Sequence, residues 1–253
     1  MLRRSRQAGQ GPAYDRPAFY ALAWGSWRDY VTLLHPPYTL WHLSYVVLGA
    51  ALAPTIRYDR LGATLLAFFL AVGVAAHALD ELSGRPLKTG IPGRMLWSLA
   101  VLSLTATAAL GIAGILVVSP WLLPFVAFGV FMVPAYNLEW FRGRFHSDLW
   151  FALAWGVFPF LTAYWASAET LRWPALAGGV AVFALSLAQR TLSSRVRMLR
   201  RRAHSVQGTI TYADGSTEEI DRQGLIAPDE RALMLLALAV VALSVAAVLF
   251  RAL

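Results

Sequence analysis

The chain has 253 residues, of which 58% are hydrophobic and only 14% charged, and it carries a formal net charge of +8. A soluble domain has about a quarter of its residues charged, so a purely soluble domain, a disordered chain and a collagen-like chain are excluded. There is no cysteine, which removes disulfides, thiol catalysis and Cys-based metal sites. The basic excess reads as cytoplasmic loops and contacts to anionic membrane lipids, with no nucleic-acid partner.

In chain order, residues 1–10 are basic but no apolar stretch comes after them, so no cleavable signal peptide is expected. Residues 17–34 place Phe19, Leu22, Trp27, Tyr30 and Leu34 at near-helical spacing, which predicts an interfacial helix. His35-Pro36-Pro37 then ends it and turns the chain into the first span, near 38–56. Charge-free runs lie at 61–79, 95–138, 149–168, 173–189 and 232–250. Crossing the hydrocarbon takes about 20 apolar residues. The 44-residue run is therefore split at Ser119-Pro120 into two helices. The 173–189 run is short, but its helix can continue into water through Arg202. Between the last two spans, residues 208–221 alternate around Ala213-Asp214-Gly215-Ser216, a hairpin signal.

The expected fold is an all-α integral membrane bundle with about seven spans and a small cytoplasmic β-hairpin. Its parts are an N-terminal segment (1–37), a six-span core (38–203), a hairpin-bearing loop (204–231) and a seventh helix (232–253). Seven spans put 18 of the 22 Lys and Arg on the side of the N-terminus and 4 on the other. The positive-inside rule makes the first side cytoplasmic.

Chemistry is sought first at the end of the second span. On a helix, His77, Asp80, Glu81 and Gly84 fall at i, i+3, i+4 and i+7 and share one face. Two carboxylates with Arg85 and Lys88 close behind suit a divalent cation beside a phosphate. The same residues also read as an ordinary helix end, with acids paired to nearby bases. Further on, Arg190, Ser194 and Arg197 share a helical face that suits phosphate, or equally anchors the chain on anionic lipid. His146 and Asp148 open the fifth span, where Asp148 favours the helix N-terminus.

The stretch Ala76-His77-x-x-Asp80-x-x-x-Gly84, continued by Arg85-Pro86-Leu87-Lys88-Thr89-Gly90, resembles the second-helix region of the UbiA superfamily of intramembrane prenyltransferases. That family carries Asn-Asp-x-x-Asp-x-x-x-Asp and then Arg-Pro-(Leu/Ile)-x-x-Gly. Pro36-Pro37 with Gly49, and Pro134-Ala135-Tyr136-Asn137-Leu138-Glu139 ahead of Ala152-Leu153-Ala154-Trp155-Gly156, keep the family's order. The resemblance spans roughly 30–203. Of the family's aspartates only Asp80 is kept, and 189–202, where the family has a second Asp-rich motif, contains no acid. The family usually has nine helices.

The resemblance implies a UbiA-like bundle that transfers a prenyl group from a polyprenyl diphosphate to a membrane acceptor. It implies Asp80 and Glu81 as catalytic residues, with His77 completing a Mg²⁺ site, and Arg85, Lys88, Tyr136, Asn137, Arg190 and Arg197 on the diphosphate. The alternative is a non-catalytic relative that binds an isoprenoid lipid or a partner membrane subunit. A small transporter fits less well, because the spans hold few charges away from their ends.

Overall fold

The structure, a computed structural model, describes residues 16–23 and 25–253. It is mostly helical with one two-stranded sheet. The elements are α1 (Trp27–Leu33), α2 (Pro36–Leu52), α3 (Tyr58–Leu82), α4 (Gly93–Val117), α5 (Pro120–Asn137), α6 (Asp148–Ala168), α7 (Trp173–Arg202), β1 (Gln207–Thr211), β2 (Thr217–Asp221) and α8 (Arg222–Ala252). Six of these, α3 to α8, are long and apolar enough to cross a membrane.

The seventh expected span is α2, with 17 residues. It is central to the packing rather than peripheral. Trp41, Tyr45, Val46 and Ala50 are fully shielded, and α2 packs on α6 and α8. A Cβ at Gly49 would sit 2.1 Å from Phe160 O, so only glycine lets the α2 and α6 backbones meet there. By contrast, α4 leaves Val101, Leu102, Leu116 and Val117 exposed, as a lipid-facing helix does.

Two of the long helices are not α-helical throughout. Phe69–Ala76 within α3 and Ala152–Val157 within α6 are π-helical. Such segments add a residue per turn and rotate the rest of the helix about its axis.

The interfacial helix is shorter than the sequence predicts. Only Trp27–Leu33 is helical, because Gly25 (φ 118°) and Ser26 (φ 55°) break the backbone before it. Residues 16–23 form an irregular strap instead. Ala18 and Ala21 pack on Leu87, and Leu22 N donates to Thr32 Oγ1 at 3.0 Å. Asp29 is buried and ties α1 down, accepting from Gly25 N (3.1 Å) and Gly90 N (2.9 Å). His35 caps α2 in the left-handed region, with prolines at the first helical positions.

α7 continues without a break from its apolar run through Arg202, as the sequence predicts. The hairpin also forms, with Gln207 paired to Asp221 and Thr211 to Thr217 around Gly215 (φ 84°). Residues 222–231, expected in the loop, are the first turns of α8. Asp221 caps that helix by accepting from Gly224 N. Arg200 holds α7 to α8 through a buried two-pronged pair with Glu230, at 2.6 and 2.9 Å.

Candidate functional site

Where α2, α3, α5, α6 and α7 meet at the arginine-rich end, they enclose a cavity of about 640 Å³. Asp80, Tyr136, Asn137, Arg190 and Arg197 all line it, as does His77. The sequence-predicted site is thus partly assembled, from three separate stretches of chain. The strap closes one side with Phe19 and Tyr20.

Glu81 does not join the lining residues. It is fully buried and faces away from the cavity, with its carboxylate accepting from Leu87 N (2.9 Å), Thr89 N (2.8 Å) and Thr89 Oγ1 (2.8 Å). Neighbours on an α-helix point about 100° apart, so turning Asp80 to the cavity turns Glu81 to the loop. Arg85 and Lys88 also lie outside the cavity lining. Arg85 donates to Ile91 O (2.6 Å), Lys88 is exposed, and neither lines the cavity. Both have left-handed backbones at φ 55°. The Arg-Pro-Leu-Lys-Thr-Gly loop thus closes over the Glu81 carboxylate through Leu87 and Thr89.

The cationic side belongs to α7. Arg190 Nε donates to Asp148 Oδ1 at 2.8 Å, and its guanidinium lies over the Phe151 ring. Arg197 donates to Ser193 Oγ (3.1 Å) and Ser194 Oγ (3.0 Å) and has no carboxylate partner among the described residues. Arg201 also lines the cavity. The Asp80 carboxylate makes no hydrogen bond or ion pair among the described residues. Tyr136 stacks on His146 at 4.5 Å and meets Trp155 edge-on at 5.4 Å. Asn137 Nδ2 is bonded to Val133 O, so its role is partly internal.

The strap side is poor in charge. His35 stacks on His77 with ring centres 4.0 Å apart, and Tyr20 tilts against His35 at 5.2 Å. Burial pushes the His35 imidazole down to about 4, and Arg201 and Arg197 push the same way. Burial also raises the Tyr20 phenol well above its ordinary value.

A Mg²⁺ ion does not fit this donor set. Of its three expected ligands, Asp80 alone presents a free carboxylate. Glu81 is consumed by the loop, and His77 stacks on His35 with Nδ1 3.1 Å from Gly73 O. Among the described residues no three His, Cys, Asp or Glu side chains come together to hold a metal. Mg²⁺ is usually held by one or two carboxylates plus substrate phosphates; of the three expected ligands only Asp80 brings a carboxylate to the cavity, which Glu139, not among them, also lines.

A second cavity of about 400 Å³ lies deeper in the bundle, among Phe68, Gly111, Gly114, Phe125, Gly129 and Phe158. Its far end is Arg57, Asp59 and Arg60, with Arg60 paired to Glu169 at 2.8 Å. The two cavities share Val72 and Trp155. Each of these residues sits in one of the two π-helical segments. His42 and Gln189 also line the first cavity, and the sequence does not single them out. Their only sequence signal is a polar side chain inside an apolar span.

No family model matches the chain, and no curated protein or solved structure matches it either.

Proposed function

We propose that the chain binds a polyprenyl diphosphate and transfers its prenyl group to an acceptor in the membrane, from a site on the cytoplasmic side. The observation that supports this is the pairing of the cavities, one rimmed by arginines and the other mostly apolar, with Val72 and Trp155 in the wall of both. An anionic head on a long hydrocarbon chain matches both. Arg197 and Arg190 hold the diphosphate, Arg197 being, like Arg201, a lining cation with no carboxylate partner among the described residues. The prenyl chain lies against Phe68, Phe125 and Phe158. Its reacting carbon falls near Tyr136, Phe151 and Trp155, whose ring faces stabilise a developing cation by roughly 0.5–2 kcal/mol each. Charge on the departing diphosphate is met by guanidinium groups, and no step is routed through a metal.

The second reading is a non-catalytic holder of an anionic isoprenoid lipid. It is favoured by one observation, that Asp80 is the only expected metal-binding acid facing the cavity. One experiment separates the two. Lipids copurifying with the protein are identified by mass spectrometry, and the delipidated protein is then given labelled prenyl diphosphates of several lengths with membrane extract as acceptor source. Release of diphosphate together with a new labelled lipid supports transfer. Tight binding without release supports the holder. Failure of every prenyl diphosphate to bind overturns both.

A further inference from the structure

Below the arginines, the floor of the first cavity carries polar groups that the fold leaves without partners. Ser186 Oγ lies 3.3 Å from Tyr45 Oη and fixes α7 against α2. α2 starts at the arginine-rich end and α7 finishes there, so one turn towards the cavity brings His42 on one helix level with Gln189 on the other. Gln189 is 2% exposed and its Oε1 has no hydrogen-bond partner among the described residues; Tyr136 is 5% exposed and its Oη has none among them. A buried polar atom left unpaired is costly, so two of them beside a cavity point to a ligand that pairs them.

His42 supplies the third group. Its Nδ1 lies 2.7 Å from Trp155 O. A carbonyl only accepts, so Nδ1 carries the proton and Nε2 carries the lone pair. The other cavity histidines are held in the same tautomer, with His35, His77 and His146 bonded through Nδ1 to Leu33 O, Gly73 O and Tyr136 O. His35 and His77 stack on each other, and His146 stacks on Tyr136. His42 is the one anchored to Trp155, the residue shared with the apolar cavity.

We infer that this floor binds the acceptor of the transfer reaction, a ligand bearing an O–H or N–H donor, and that His42 Nε2 removes its proton. The inference rests on the transfer reading above. The acceptor's oxygen or nitrogen forms a bond to the first carbon of the prenyl chain. The carbon–oxygen bond to the diphosphate breaks, and its electron pair leaves with the diphosphate onto Arg197 and Arg190. The acceptor's proton moves to Nε2, and the resulting imidazolium keeps its Nδ1–H bond to Trp155 O. The acceptor's O–H or N–H is shared between Nε2 and Gln189 Oε1, which both only accept, and Tyr136 Oη donates to the acceptor's oxygen or nitrogen.

The test starts without any prenyl diphosphate. Protein in lipid nanodiscs is titrated, by fluorine NMR, with 4-fluorobenzyl alcohol and with its methyl ether, which lacks the donor. The alcohol is expected to bind about tenfold more tightly. His42→Asn keeps an amide nitrogen near the place of Nδ1 but has no Nε2, and it should abolish the preference. Should that variant fail to fold, Gln189→Leu carries the same comparison, since this side chain makes no hydrogen bond in the fold. Equal binding of alcohol and ether, or binding of neither, overturns the acceptor floor. In the transfer assay, His42→Asn should lower kcat about 100-fold or more while leaving the prenyl diphosphate Kd unchanged. An unchanged kcat overturns the base. A wild-type protein with no turnover overturns the transfer reading and the proton step, while the alcohol–ether comparison still decides the floor.

Discussion

Replacing Glu81 by alanine separates a loop organiser from a metal ligand. The substitution leaves three buried donors, Leu87 N, Thr89 N and Thr89 Oγ1, without their acceptor. Each unpaired donor costs roughly 1–3 kcal/mol, so the variant should lose at least about 3 kcal/mol. For a chain of this size that is a fall in Tm of about 6–12 °C. Thermal unfolding in detergent measures the loss, and hydrogen–deuterium exchange locates it. The Leu87 and Thr89 amides should exchange quickly in the variant and slowly in the wild type. Prenyl diphosphate binding should respond to Mg²⁺ in the same way in both proteins. If Tm and both amides are unchanged while a Mg²⁺-dependent affinity disappears, the carboxylate belongs to a metal and the loop assignment is wrong.

Arg197→Ala should weaken prenyl diphosphate binding about ten- to a hundredfold, because charge-assisted bonds are worth roughly 1.5–3 kcal/mol. Arg197→Lys should recover part of this, the ammonium keeping the charge but not the fork. Calorimetry in nanodiscs reads both, and an unchanged alanine variant would remove Arg197 from the headgroup site. Asp80→Asn removes a negative charge facing that anion and should tighten binding about two- to fivefold, with or without EDTA; EDTA-sensitive binding lost in the variant would restore a metal role. His35 is neutral in the fold down to about pH 4 against an ordinary 6.5. Its contribution, about 3 kcal/mol, is therefore complete above pH 6.5 and is lost as pH falls towards 4. His77, Tyr20, Arg197 and Arg201 surround it, and Arg197 and Arg201 disfavour its charging. Exchange in residues 16–34 should accelerate between pH 6.5 and 4.5, and exchange independent of pH there would contradict the assignment. Excising residues 208–219 and joining with a short Gly/Ser linker keeps the Asp221 cap and should lower Tm by less than about 3 °C. A variant that fails to insert or purify would make the hairpin part of the bundle.

Charge spacing made most of the bundle legible. Uninterrupted apolar runs predicted the long helices, the break at Ser119-Pro120 and the extension of α7 through Arg202. Asp214-Gly215 marked the hairpin, because a left-handed glycine suits its turn. Residues that line the cavity were legible where the helix end itself pointed, as with Asp80 and Arg197. Helical periodicity could not separate Asp80 from Glu81, since it gives the relative angle of two side chains and not which one the neighbouring helices enclose. The amphipathic spacing of 17–34 overstated α1, because apolar side chains that look like one helical stripe pack here from an irregular strap onto Leu87. His42 and Gln189 carried little signal, being single polar residues whose meaning depends on a partner 147 positions away.

The π-helical segment Phe69–Ala76 has an evolutionary corollary. It lies immediately ahead of His77 and Asp80 in the same continuous helix. A π-turn is an α-turn with one residue inserted. Deleting a single residue there, such as Gly73, would hardly change the apolar length of the helix, yet it would rotate everything beyond by about 100° and carry Asp80 out of the cavity. Aligning this chain to a relative without the insertion, column by column, would pair residues that occupy different sides of the helix. Functional correspondence in this region is therefore to be judged by which way a side chain faces, and a one-residue gap can mark the gain or loss of the site.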